Sequence, residues 1–115
     1  MSLTPGTWVE QGALSVRRER GPAELYVVEF YGELDLASVE CAASELRYCA
    51  DSDVEEVIVD LSGLDFIDST GLGVLVQAYR GDRENGNRLR FLRGSAPVQR
   101  VMELTSLDTV LPFAD

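Results

Sequence analysis

Residues Glu56–Tyr79 read EVIVDLSGLDFIDSTGLGVLVQAY. The opening run, Glu56–Leu61, is almost wholly apolar, as a strand buried on both faces would be. From Ser69 to about Gly81 the pattern changes: Leu72, Leu75, Val76 and Tyr79 fall on one face at helical spacing. A short apolar strand leading into an amphipathic helix is one half of a β-α-β unit. Such units call for parallel neighbouring strands joined by right-handed crossovers.

The flanking sequence continues this pattern. Leu36–Ala50 places Val39, Ala42, Ala43, Leu46, Cys49 and Ala50 at helical intervals, and Pro97–Leu104 does the same with Val98, Val101 and Met102. Arg88–Leu92 and Val110–Phe113 read as strands. Leu14–Arg18 and Glu24–Tyr31, divided by the polar turn at Arg20-Gly21-Pro22, read as an antiparallel pair. The order β-β-α-β-α-β-α-β predicts a single α/β domain. Its central sheet is mainly parallel, of about four to five strands, with an antiparallel N-terminal edge strand and helices packed against it. Residues 13–115 are assigned to the domain, and 1–12 to a weakly ordered lead.

At 115 residues the chain can bury one core. Twenty acids against ten bases give a formal net charge of −10, which disfavours a nucleic-acid partner and would suit a basic protein. Every base is arginine; the chain contains no Lys and no His. That excludes, within this chain, a P-loop lysine, a Schiff base, a histidine general base or triad, and a histidine-ligated metal. Cys41 and Cys49 stand eight positions apart in a predicted helix, about 12 Å of rise, too far for a disulfide. They read as reduced thiols in a cytoplasmic protein, and no cofactor or metal site is expected. No window is apolar and long enough for a membrane span, so direct membrane insertion is not expected.

The turns from strand to helix gather at the carboxyl edge of such a sheet, where open α/β folds place their sites. Here they bring Asp35, Asp68 and Ser69 to one surface. With Asp68 as N-cap, Ile67 and Leu72 form a hydrophobic staple; Asp35 as cap of the preceding helix would pair Leu34 with Val39 in the same way. With Ser69 as cap, Gly73 would occupy the staple position and the staple would be lost. Ser69 is therefore expected at the first helical position, its hydroxyl not needed by the backbone. Gly71 and Gly73 cost about 1 kcal/mol each in a helix relative to Ala. Either the helix packs tightly on its sheet, or another surface approaches its backbone; spacing leaves both open.

The pair GELD (Gly32–Asp35) and DFIDSTGLGVL (Asp65–Leu75), each opening a helix, resembles the STAS domain family, specifically the bacterial anti-sigma factor antagonists. The resemblance extends from about Leu14 to Phe113. It implies a regulatory binding protein and not an enzyme. Ser69 would accept phosphate from a serine/threonine kinase that is itself the anti-sigma factor and that binds the ATP. A serine phosphatase would remove the phosphate from Ser69. Asp35, Asp68, Ser69, Thr70, Gly71 and Gly73 would form the partner-binding surface. The resemblance also implies that the final helix of relatives is missing after residue 113.

Within the same family, the alternative is a scaffold subunit of a stress-signalling or lipid/anion transport complex. Outside it, Asp60 at a strand end suggests a receiver domain, which lacks its lysine here. Asp60, Asp65 and Asp68 together suggest a Mg²⁺-dependent phosphotransfer site, against which stands their reading as turn residues and a cap.

Overall fold

The computed structural model describes residues 6–114. It contains β1 (Thr7–Gln11), β2 (Leu14–Gly21), β3 (Leu25–Leu34), α1 (Val39–Ala50), β4 (Glu56–Ile67), α2 (Ser69–Glu84), β5 (Leu89–Leu92), α3 (Ala96–Leu104) and a 3-10 turn at Leu107–Thr109. The sheet runs β1-β2-β3-β4-β5 in space as in sequence. β1, β2 and β3 pair antiparallel, whereas β3, β4 and β5 pair parallel through the crossover helices α1 and α2. This is the mixed α/β sheet expected, with its antiparallel part at the N-terminal edge.

Several boundaries differ from the sequence reading. Part of the predicted lead is β1, which pairs Thr7–Gln11 with Leu14–Arg18; residues 1–5 lie outside the described residues. The reason is tertiary. Val9 packs against the core, and Gln11 Oε1 accepts the amide of Cys41 at 2.8 Å, capping α1 from a neighbouring strand. Local composition carries no signal for such a cap.

β4 does not stop at Leu61 but continues to Ile67, and β3 continues to Leu34; register shifts at Glu29/Tyr31 and Gly32/Glu33 keep the two strands paired. Asp60 and Asp65 are therefore strand residues rather than turn residues. Nor is β4 buried on both faces. Val57, Val59 and Leu61 are buried while Ile58 and Asp60 are half-exposed, because the core side chains of the strands share one face. The predicted last strand, Val110–Phe113, contributes a single bridge from Phe113 to Phe91, preceded by the 3-10 turn.

The core is contiguous. Leu14, Val16, Val28, Phe30, Val59, Leu61 and Phe91 from the sheet meet Ala42, Leu46, Leu72, Leu75, Val98 and Met102 from the helices. At the end of α1 the guanidinium of Arg88 donates to the carbonyls of Ala50 and Val54, both at 2.7 Å, and of Ser52 at 3.1 Å. Those carbonyls would otherwise lack partners where the helix runs out. Glu45 is buried on the inner side of α1, paired with Arg18, which also lies over the ring of Tyr48.

Both cysteines are free thiols, Cys49 being the buried one. Burial pushes the Cys49 thiol up to about 12. At pH 8 only about one Cys49 in ten thousand is then a thiolate, the reactive form. Iodoacetamide at pH 8 should therefore alkylate Cys49 in the native protein at least 100-fold more slowly than in urea, read by mass spectrometry. Equal rates would mean the α1–sheet interface opens readily.

Candidate functional site

The parallel pairing of β3 with β4 creates the site. Leu34 lies beside Ile67 in register, so the chain leaves the sheet at Asp35 and at Asp68 side by side. The Asp68 amide donates to the Leu34 carbonyl at 3.2 Å, closing the two exits together. Asp35 and Asp68, far apart in sequence, thus share one rim, as their predicted places after consecutive strands required.

Asp68 is the N-cap of α2. Its backbone is extended, and its carboxylate accepts the Gly71 amide at 2.9 Å. The carboxylate of Asp68 satisfies one of the donors exposed at a helix start, which leaves Ser69 free of that duty. Ser69 is the first helical residue and is exposed; among the described residues its hydroxyl has no hydrogen-bond partner. A hydroxyl at that position meets the positive end of a helix dipole, where added negative charge is favoured.

Asp35 does not cap α1, which begins at Val39 with Ser38 as its N-cap. Instead Asp35 folds a turn of its own: its carboxylate accepts the Ala37 amide at 3.0 Å, and its carbonyl accepts the Ser38 amide at 3.0 Å. The buried Ser38 hydroxyl accepts the Asp35 amide and donates to the Glu33 carbonyl, each at 3.0 Å. The pattern Asp-x-x-Ser favours this closed turn over an immediate helix, because short polar side chains compete for nearby backbone groups. Ser38, missed in the sequence reading, therefore holds Asp35 at the rim.

The two motif glycines divide in function. A Cβ on Gly71 would lie 2.6 Å from the Leu34 carbonyl oxygen and 2.9 Å from carbons of Leu34 and Ile67. Gly71 is buried to let α2 approach the ends of β3 and β4. Gly73 is exposed, and a Cβ there would meet nothing within 4 Å. Thr70, just before Gly71, is half-buried and lines the cleft between α1 and α2. The glycine of GELD is also structural: Gly32 has φ +97°, and a Cβ would fall 2.1 Å from the Ala13 carbonyl oxygen. Around the rim stand Leu36, 75% exposed, Phe66, 41% exposed, and the exposed Asp65.

No convergent metal site accompanies these residues. Among the described residues no group of three or more His, Cys, Asp and Glu is placed to hold a metal ion, and Asp60 spends a carboxylate oxygen on the Ser62 amide at 2.9 Å. Asp60, Asp65 and Asp68 thus do not form a Mg²⁺ cradle. No helix among the described residues is long and apolar enough to cross a membrane.

Comparison with known families matches the STAS domain over residues 15–115. The chain belongs to the STAS domain family. An anti-sigma F factor antagonist of Paenibacillus polymyxa is 26% identical over 95 residues, covering 77% of each chain. An anti-sigma-B factor antagonist of Staphylococcus aureus is 28% identical over 88 residues, covering 76% of this chain and 82% of the relative. Among solved structures, the anti-sigma factor antagonist SpoIIAA in its unphosphorylated form superposes with a TM-score of 0.71 at 25% identity. That match covers 87% of this chain and 88% of SpoIIAA. The STAS fold accounts for the whole described sheet from β2 onward, with β1 preceding the matched residues.

Proposed function

We propose that this STAS protein is an anti-sigma factor antagonist switched by phosphorylation of Ser69. The observation that carries the reading is the exposed Ser69 hydroxyl, released from capping by Asp68 and directly following the rim at which Asp35 and Asp68 leave the sheet. The names of the relatives and of SpoIIAA supply the kind of partner, an anti-sigma factor.

In this reading the partner is a serine kinase that brings ATP and Mg²⁺, and this chain supplies only the acceptor oxygen. The hydroxyl oxygen attacks the γ-phosphorus, the bond from that phosphorus to the bridging oxygen of ADP breaks, and the kinase's catalytic carboxylate takes the hydroxyl proton. Unphosphorylated, the rim formed by Asp35, Asp68, Ser69, Thr70 and Gly73 docks on the anti-sigma factor and frees the sigma factor, with Gly71 holding α2 in place behind it. Phosphorylated, it lets go, and a serine phosphatase resets it. Sigma control operates on cytoplasmic RNA polymerase, so that is where the chain would act. The retained Asp68-Ser69-Thr70-Gly71 element and the names of the relatives favour the antagonist over the scaffold and transport readings.

The test is phosphate transfer. Incubated with its anti-sigma factor kinase and ATP, the wild-type chain should gain one phosphate mapping to Ser69. Ser69→Ala should lose incorporation by at least 100-fold while still binding. Full incorporation on Thr70 in that variant would refute the assignment.

A further inference from the structure

Between α1 and α2, above the sheet, runs a groove of about 520 Å³. Val57 and Leu89 form part of its floor, and Ala43, Leu46, Val74 and Ala78 part of its walls. Its upper end is bounded by Thr70, next in sequence to Ser69, and Gly73, about one helical turn beyond Ser69. We infer that this groove receives an amphipathic helix of the protein that reads Ser69, with basic residues flanking its apolar face.

Gly73 and Gly81 both line the groove from α2. A glycine inside a helix weakens it, so its retention needs a reason. Neither glycine has a positive φ, and a Cβ on either would meet nothing within 4 Å. Backbone conformation and internal packing, the reasons that hold for Gly32 and Gly71, are both absent. What remains is the surface itself: without side chains at these two positions, another chain can come down to the backbone of α2. The groove spans Thr70 to Asn85, about 22 Å of helix rise, the length of a four-turn helix. A cleft between two helices with an apolar floor accepts the apolar face of a third.

Charge decides among occupants. With a net charge of −10, a second copy of this chain or an anionic membrane is repelled, and a cationic protein segment is drawn in. Arg47 and Arg88, with Asp82, line the groove toward the end of α2, whereas Asp35 and Asp68 stand at the strand ends where α2 begins, so the basic flank of the incoming helix is drawn to the Ser69 end. The inference rests on the reading of Ser69 as the regulated docking point and extends that contact along α2.

The experiment measures binding of the anti-sigma factor kinase to four forms of the full chain by calorimetry, with melting temperatures in parallel. Gly73→Ala should raise the melting temperature by about 3–5 °C, since it strengthens the helix without a clash. Gly81→Trp, which fills the far end of the groove away from the rim at Ser69, should weaken binding at least 100-fold while melting no lower than wild type. Loss of affinity without loss of stability is what a purely structural glycine would not produce. Gly81→Trp binding within threefold of wild type, while Ser69→Asp binds weakly, overturns the groove and leaves the Ser69 reading intact. Ser69→Asp binding as tightly as wild type overturns both. Self-association of the free chain in sedimentation equilibrium, abolished by Gly81→Trp, assigns the groove to a second copy and overturns the inference.

Discussion

Phosphorylating Ser69 is expected to weaken binding to the anti-sigma factor by at least 100-fold while shifting the melting temperature by less than about 2 °C. The phosphoryl group adds about −1.5 to −2 charges. In a kinase complex that position faces the nucleotide phosphates and the catalytic carboxylate, and on this chain it sits beside Asp68, with Asp35 and Asp65 on the same rim. A unit negative charge about 6 Å away, at an effective dielectric near 20, contributes about 3 kcal/mol of repulsion per added unit. Desolvating a dianion at an interface adds to this. Since about 1.4 kcal/mol is tenfold in affinity, one such neighbour suffices for a hundredfold loss.

The fold is spared for a separate reason. Ser69 is exposed and its hydroxyl makes no bond within the described chain, so nothing internal is broken by modifying it. The new anion meets the favourable end of the α2 dipole, worth about 0.3–1 kcal/mol at an exposed site. Ser69→Asp is the genetic mimic, carrying the sign of the effect with less charge. Calorimetric binding and thermal melting of the phosphorylated chain check both halves. A large drop in melting temperature would mean that the hydroxyl packs rather than signals.

The second large effect concerns the fold alone. Gly32→Ala should destabilise the domain by about 3 kcal/mol or more, from two sources. The residue would have to keep φ near +97°, a left-handed conformation that costs a non-glycine residue about 1–2 kcal/mol. Its Cβ would also fall 2.1 Å from the Ala13 carbonyl oxygen, so the β1–β2 turn must move, an overpacking cost of about 1–3 kcal/mol. That carbonyl accepts the Glu33 amide at 3.0 Å, so the displacement also loosens the strand end that leads to Asp35. Against a typical domain stability of about 5–15 kcal/mol this is a large fraction. Urea unfolding should show the midpoint falling at unchanged slope, and a change under 1 kcal/mol would refute the close approach. The contrast with Gly73→Ala, which should stabilise, separates glycines kept for the fold from one kept for a partner.

The chain's periodicities were enough to read the α/β class, the order of most elements and the staple that makes Asp68 the cap of α2. These are local properties: a helix start is decided by a few neighbouring residues, and Asp68 is the N-cap of α2 in the structure, through the Gly71 amide. The convergence of Asp35 and Asp68 also followed from sequence, because strands joined by a crossover helix run parallel and so bring their carboxyl ends to one edge. Other features depended on groups distant in the chain. Gln11 caps α1 across thirty positions and so turns a polar lead into a strand. The Asp35–Ser38 turn displaced the expected cap of α1, since Ser38 could satisfy Glu33 and Asp35 at once. β4 ran on past Leu61 because β3 continued beside it, offering hydrogen bonds that composition does not encode. The two roles of Gly71 and Gly73 were indistinguishable in the linear pattern. Only the packing of α2 against Leu34 and Ile67 shows which glycine is pressed against the sheet and which faces outward. Sequence alone thus determined where hydroxyl, carboxylate and helix meet; the third dimension decided which of their neighbours hold the fold and which remain available to another protein, because that depends on what lies within a few ångströms and not on what lies a few residues away.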